Sequence, residues 1–136
     1  MGLKLGFSIG YKCFGYGLVI PHYGTIVVGD SNRCGNYCVL HTSTCISGER
    51  GGKIIGNALY LSTGVKIFKP ITLGDNVQIG CNSVVNKTFT DDDILLVGMP
   101  AVIKKNVTPW YVGWEAEQWH DKIEKLRVAL NLDISD

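Results

Sequence analysis

From Ile55 to Val85 an aliphatic side chain returns at every sixth residue without a break: Ile55, Leu61, Ile67, Leu73, Ile79, Val85. A second run with the same step holds Val28, Cys34, Leu40 and Ile46, and several of these positions are followed by glycine, as in Val28-Gly29, Cys34-Gly35 and Ile79-Gly80. A period of six is neither the 3.6 of a helix nor the two of a flat strand, so the backbone must turn a corner once per repeat and send one aliphatic side chain inward. Three such units closing a triangular coil stack those side chains in columns, while each short strand pairs with the coils above and below. The expected fold is therefore an all-β solenoid, a parallel β-helix of hexapeptide repeats. A β-sandwich of short strands would show irregular spacing and Asn-Gly hairpin signals between alternating runs.

Length and charge narrow the function. The 136 residues make one ordinary domain, and a formal charge of +1 gives no electrostatic reason to expect nucleic acid or an anionic membrane as partner. No apolar run approaches the roughly 20 residues that span a bilayer, and the opening MGLKLGFSIG lacks the basic-then-apolar layout of a secretion signal, so a cytoplasmic protein without membrane insertion is expected. The 17 glycines suit frequent tight turns. Cysteines 13, 34, 38, 45 and 81 form no CxxC pair, which points to reduced thiols, and Cys34 falls on an inward position where it acts as a small apolar residue.

The rhythm slips twice. Ile46 to Ile55 is nine residues, placing a three-residue insertion in Ser47–Gly52, and Ile20 to Val28 is eight, placing two extra residues in Pro21–Thr25. Loops extruded from a rigid scaffold are where chemistry tends to sit. One full coil plus the two-residue slip carries Ile20 onto Leu40, so His41 is expected one coil away from His22. After Lys105 the pattern changes. Thr108-Pro109 reads as an N-cap and first turn, and Val112, Ala116, Trp119, Ile123, Leu126 and Leu130 recur in steps of four and three on one face of a helix running to about Leu130. That stripe is expected to pack on its own domain or on a neighbouring subunit, and His120, off the stripe, to be a surface residue.

The segment Gly17–Val28 with its Pro21-His22-Tyr23-Gly24, the hexads through Val85-Asn86-Lys87 and the closing Val97-Gly98-Met99-Pro100-Ala101 resemble the serine acetyltransferase branch of the left-handed β-helix acyltransferases, and in particular its relatives that O-acetylate sugars and capsule precursors. The resemblance covers about positions 5 to 106 and supplies the left hand of the helix. It implies a division into an acyltransferase domain at 1–107 and a C-terminal helix and tail at 108–136. It also implies a homotrimer with active sites between subunits, and acetyl-CoA as acyl donor with no metal. In such enzymes the histidine of this loop takes the proton of the acceptor hydroxyl while the oxygen attacks the thioester, a role the resemblance gives to His22; an imidazole titrates near neutrality and suits it. A histidine that only caps a turn is the plainer alternative.

His41, Tyr23, Glu49 and Arg50 are candidates for binding the acceptor or assisting transfer. The resemblance further implies that the pantetheine arm runs past Thr63, Cys81 and the Asn86-Lys87 pair, with Lys105 near the nucleotide phosphates. Departures from true serine acetyltransferases bear on the acceptor. The supporting aspartate falls on Phe7, the acidic residue before the histidine on Pro21 and the second histidine on Gly51, and the N-terminal helical region is expected to be absent. Two lost carboxylates disfavour an amino-acid acceptor and favour a sugar or surface-polysaccharide precursor, with serine as alternative. A β-helical zinc enzyme would need three gathered histidines, and a non-enzymatic β-helix scaffold would treat both slips as decoration.

Overall fold

The computed structural model describes residues 6–130; expectations placed on residues 1–5 and on the tail 131–136 lie outside the described residues. Short strands follow one another with a corner after each: β1 (Phe7–Ile9), β2 (Ile26–Val28), β3 (Arg33–Cys34), β4 (Val39–Leu40), β5 (Thr44–Ile46), β6 (Ile54–Ile55), β7 (Tyr60–Leu61), β8 (Lys66–Ile67), β9 (Thr72–Leu73), β10 (Val77–Ile79), β11 (Val84–Val85), β12 (Ile94–Gly98) and β13 (Ala101–Asn106). They stack into three faces, visited in turn as the chain winds: β1-β2-β5-β8-β11, then β3-β6-β9, then β4-β7-β10-β12-β13. Pairing is parallel except where β13 folds back antiparallel on β12. This is the triangular solenoid expected from the six-residue period.

The register shows why the period works. Val28 lies opposite Ile46 and Ile55 opposite Leu73, eighteen residues on, so one coil consumes three hexads. Ile46 lies opposite Ile67, twenty-one on, because the insertion at 47–52 bulges from the corner between the first and second faces without disturbing the columns. Val28, Leu40, Ile46, Ile55, Leu61, Ile67, Leu73, Ile79 and Val85 are all buried, and each contributes roughly 1.5–3 kcal/mol of apolar transfer. Cys34 packs against the same core, and burial pushes its thiol well above the ordinary value.

The corner between the second and third faces carries its own ladder. The Asn36 N–H donates to Asn57 Oδ1 (2.8 Å), Asn57 N–H to Asp75 Oδ1 (2.7 Å) and Asp75 N–H to Asp92 Oδ1 (2.7 Å). A glycine must precede each step: a Cβ on Gly56 would stand 2.2 Å from Asp75 Oδ1.

The C-terminal segment departs from expectation. The helix α1 spans Glu115–Ala129, beginning after an extended Trp114, and Thr108 does not cap it. Gly113, at φ +83°, stops any helix begun at Pro109, and the Trp110 indole is tied instead by its N–H to the Tyr37 carbonyl (2.7 Å). The stripe is also turned outward. Trp119, Ile123, Leu126 and Leu130 are exposed, so they do not pack on the chain's own domain. The face that meets the solenoid is polar: Glu124 accepts from the hydroxyls of Tyr16 (3.0 Å) and Tyr37 (2.6 Å). His120, expected on the surface, is half-buried and stacked on Tyr111 with 4.1 Å between ring centroids, because the phenols at this corner draw the polar side of the helix inward. No helix among the described residues is long and apolar enough to cross a membrane.

Candidate active site

The two-residue slip leaves Pro21–Thr25 protruding where the third face turns into the first. Val19 is held flat on the third face, its N–H bonded to the Cys38 carbonyl (2.8 Å) and its carbonyl to the Leu40 N–H (3.0 Å), so Pro21 comes one coil above His41 and the next residue, His22, lies close enough for the two imidazoles to interact electrostatically. The expected pairing of the two histidines is what the structure contains. His22 and Tyr23 are exposed on the edge, whereas His41 is half-buried.

His41 is fixed from below. Its Nε2 lies 2.8 Å from the Tyr60 hydroxyl on β7, and Thr44 Oγ1 donates to its carbonyl (2.9 Å). Burial lowers its pKa first and the neighbouring His22 lowers it further, since a second positive charge beside the first is unfavourable. Both influences favour the neutral form of the His41 ring.

Thr63 and Cys81 follow on the same edge, one and two coils below His41, both exposed. Asn86 and Lys87 do not join them: they lie at the corner between the first and second faces, with the Lys87 ammonium 5.3 Å above the Phe89 ring. Glu49 and Arg50 are also at that corner, in the insertion. Burial alone would raise the Glu49 carboxyl, but hydrogen bonds from Lys53, Ser47 and the Lys69 N–H outweigh it and hold it down to about 2. Within one chain, Glu49 serves to keep the insertion in place.

Beside the histidine edge a groove of about 770 Å³ runs along the outer side of the third face. Val19, Val39, Tyr60 and Gln78 form its floor, residues 105–110 with Val112 and Trp114 its far wall, and Pro21 with His41 its near rim. Lys105 of β13 stands in it. The Gln78 amide donates to the Thr108 carbonyl (2.7 Å) and so ties wall to floor. Tyr60, Gln78, Trp110 and Trp114 were not singled out from the sequence. Tyr60 was within reach, because it precedes the inward Leu61 and so points outward below Val39; the two tryptophans depend on where the returning segment lies. Among the described residues no three histidines, cysteines or carboxylates gather as a metal site, and His120 lies apart with Tyr111 and Tyr37.

No family model matches the chain. The sequence is 31% identical to serine acetyltransferase of Synechococcus elongatus over 91 residues, 63% of this chain and 37% of that protein. It is 32% identical to serine acetyltransferase of Staphylococcus xylosus over 105 residues, 74% of this chain and 46% of that protein. The chain thus spans less than half the length of these relatives. Among solved structures it resembles AntD, an N-acyltransferase from Bacillus cereus in complex with dTDP-4-amino-4,6-dideoxyglucose and coenzyme A (TM-score 0.59, 13% identity, 91% of this chain and 94% of that one). It also resembles serine acetyltransferase in complex with CoA (TM-score 0.55, 23% identity, 73% and 40%) and the polySia specific acetyltransferase NeuO (TM-score 0.54, 20% identity, 82% and 61%). The shared fold is the left-handed hexapeptide-repeat β-helix.

Proposed function

We propose, for a chain that stands among the hexapeptide-repeat left-handed β-helix acyltransferases and is related in sequence to serine acetyltransferase, that it moves an acetyl group from acetyl-CoA to a hydroxyl of a sugar or surface-polysaccharide precursor. The observation that carries this reading is the exposed His22 within electrostatic reach of the Tyr60-anchored His41 one coil away, with Thr63 and Cys81 continuing the same edge. Small exposed side chains leave that edge open to an extended thioester arm, whereas Lys105 stands in the neighbouring groove rather than on that edge. The donor supplies the activated acyl carbon.

The acceptor oxygen attacks that carbon as His22 takes the hydroxyl proton; the C–O bond forms, the C–S bond breaks, and the proton passes to the departing thiolate. No covalent enzyme intermediate is needed. His41, kept neutral, orients the acceptor or the first imidazole rather than competing for the proton. The chain is proposed to work as a homotrimer, with the outward apolar stripe of α1 as one surface that a neighbouring copy would cover.

Two of the neighbouring structures are named for sugar or polysialic acid ligands, which supports a glycan acceptor here. Serine is the second reading, favoured by the names of the curated relatives. The test is thiol release from acetyl-CoA against a panel of sugars and serine. His22→Ala is expected to lower turnover by at least ~100-fold, the range for a lost general base, while acetyl-CoA still binds. Full activity in that variant would sink the assignment.

A further inference from the structure

The groove beside His41 is larger and chemically different from what a free amino acid requires. Val19 bridges to Val39, Val39 pairs with Tyr60 and Tyr60 with Gln78, so its floor crosses three strands and one further stretch of extended chain, about 14 Å at the usual strand spacing. Its volume of about 770 Å³ is that of a site for a sizeable ligand, and serine would leave most of it to water. No carboxylate lines it, so the ammonium of an amino acid would find no counter-charge there.

What does line it is suited to carbohydrate. Trp110 is immobilised through its N–H on the Tyr37 carbonyl, and Trp114 is 73% exposed at the mouth. Indole faces are flat apolar platforms against which the C–H face of a pyranose packs, while hydroxyls round the ring meet polar groups at the edges. Such groups stand at intervals along the floor: the His41–Tyr60 pair at the reactive end and, beyond it, the Gln78 side-chain oxygen, the amide nitrogen being taken by Thr108 and Asn76. At the far end the Lys105 ammonium has no ion-pair partner among the described residues, and a point cation there suits a carboxylate or phosphate.

We propose that this groove seats the acceptor and that the acceptor is an anionic glycan of at least two rings, with the hydroxyl to be acetylated at the His41 end and the anion at Lys105. The inference rests on the transfer reading above and deepens it by naming the acceptor class. Binding is measured without any transfer, so the two stand or fall separately: a failed thiol-release assay leaves the binding result intact, and the reverse.

The experiment is calorimetric titration of the full chain, without acetyl-CoA, with tri-galacturonate, galacturonate, maltotriose, serine and coenzyme A. Tri-galacturonate is expected to bind tightest and galacturonate at least about tenfold more weakly. Trp114→Ala should weaken tri-galacturonate by at least about tenfold, a loss that Trp114→Phe largely avoids, with circular dichroism unchanged in both. Lys105→Ala should remove the advantage of tri-galacturonate over maltotriose and leave maltotriose where it was. A phosphorylated trisaccharide in place of the uronate separates the two sources of negative charge; either binding better than maltotriose supports the proposal. It is overturned if no oligosaccharide binds, if serine binds as well as the trisaccharides, or if Trp114→Ala weakens coenzyme A and not the sugars, which would make the groove the donor's seat.

Discussion

Lys53 is the largest wholly buried side chain among the described residues, and its ammonium is satisfied by Glu49 Oε2 (2.5 Å) and the Ser47 carbonyl (2.5 Å). A buried charge robbed of its partner is far more costly than an apolar pair in its place. Because Glu49 is itself 34% exposed and Ser47 also serves the ammonium, Glu49→Gln is expected to destabilise by roughly 1.5–3 kcal/mol in urea unfolding, whereas Glu49→Gln combined with Lys53→Met should recover most of it. The Glu49 carboxyl sits below its ordinary value when folded, so its contribution is present above about pH 4.5 and drains away as pH falls toward about 2. An acid-unfolding titration in which the double variant loses less stability than the wild type across that window would bear this out. His41 obeys the same sign. Its folded pKa is depressed, so what it contributes is complete above its unfolded value and is lost as the solution is acidified below it. Because His22 is one of two causes, His22→Ala should raise the His41 pKa, read by NMR titration of the ring, without restoring it fully, since burial remains. No movement would mean that the two imidazoles do not sense each other.

At the scale of elements, α1 is held by its polar side, and the bond geometry says where it would let go. Glu124 accepts from two phenols, and hydrogen bonds to a charged acceptor contribute roughly 1.5–3 kcal/mol each. Glu124→Ala should speed amide exchange across Glu115–Ala129 while leaving exchange in the solenoid strands unchanged; equal acceleration everywhere would contradict a local latch. The strands were legible in the sequence because a hexad allows one inward side chain per corner, so Ile55 through Val85 could face only one way. The helix was legible in its period but not in its start or its orientation. Gly113 and the Tyr16–Tyr37–Glu124 contacts decide those, and they join residues about a hundred positions apart, which no local pattern encodes.

For the whole molecule, the exposed stripe of Trp119, Ile123, Leu126 and Leu130 is the surface on which the proposed trimer would rest. If the stripe carries the proposed trimer contact, Trp119→Glu with Leu126→Glu should lower the mass measured by light scattering to that of a monomer, with circular dichroism preserved; an unchanged mass would remove the stripe from the proposed assembly. The nearness of His22 and His41 could be counted from the slip in the repeats, since a solenoid converts sequence distance directly into height. The groove could not, because its far wall is chain returning from β13 and its position depends on the antiparallel turn at Gly98–Ala101.

Direct transfer from thioester to hydroxyl with His22 as base is decided by running the reaction with isotopically labelled acetyl-CoA, quenching it at intervals and weighing both protein and acceptor by mass spectrometry. Label is expected on the acceptor oxygen, none on the protein at any time, and almost none on the acceptor with His22→Ala. Label accumulating on the polypeptide before the acceptor, or undiminished transfer by that variant, would contradict it.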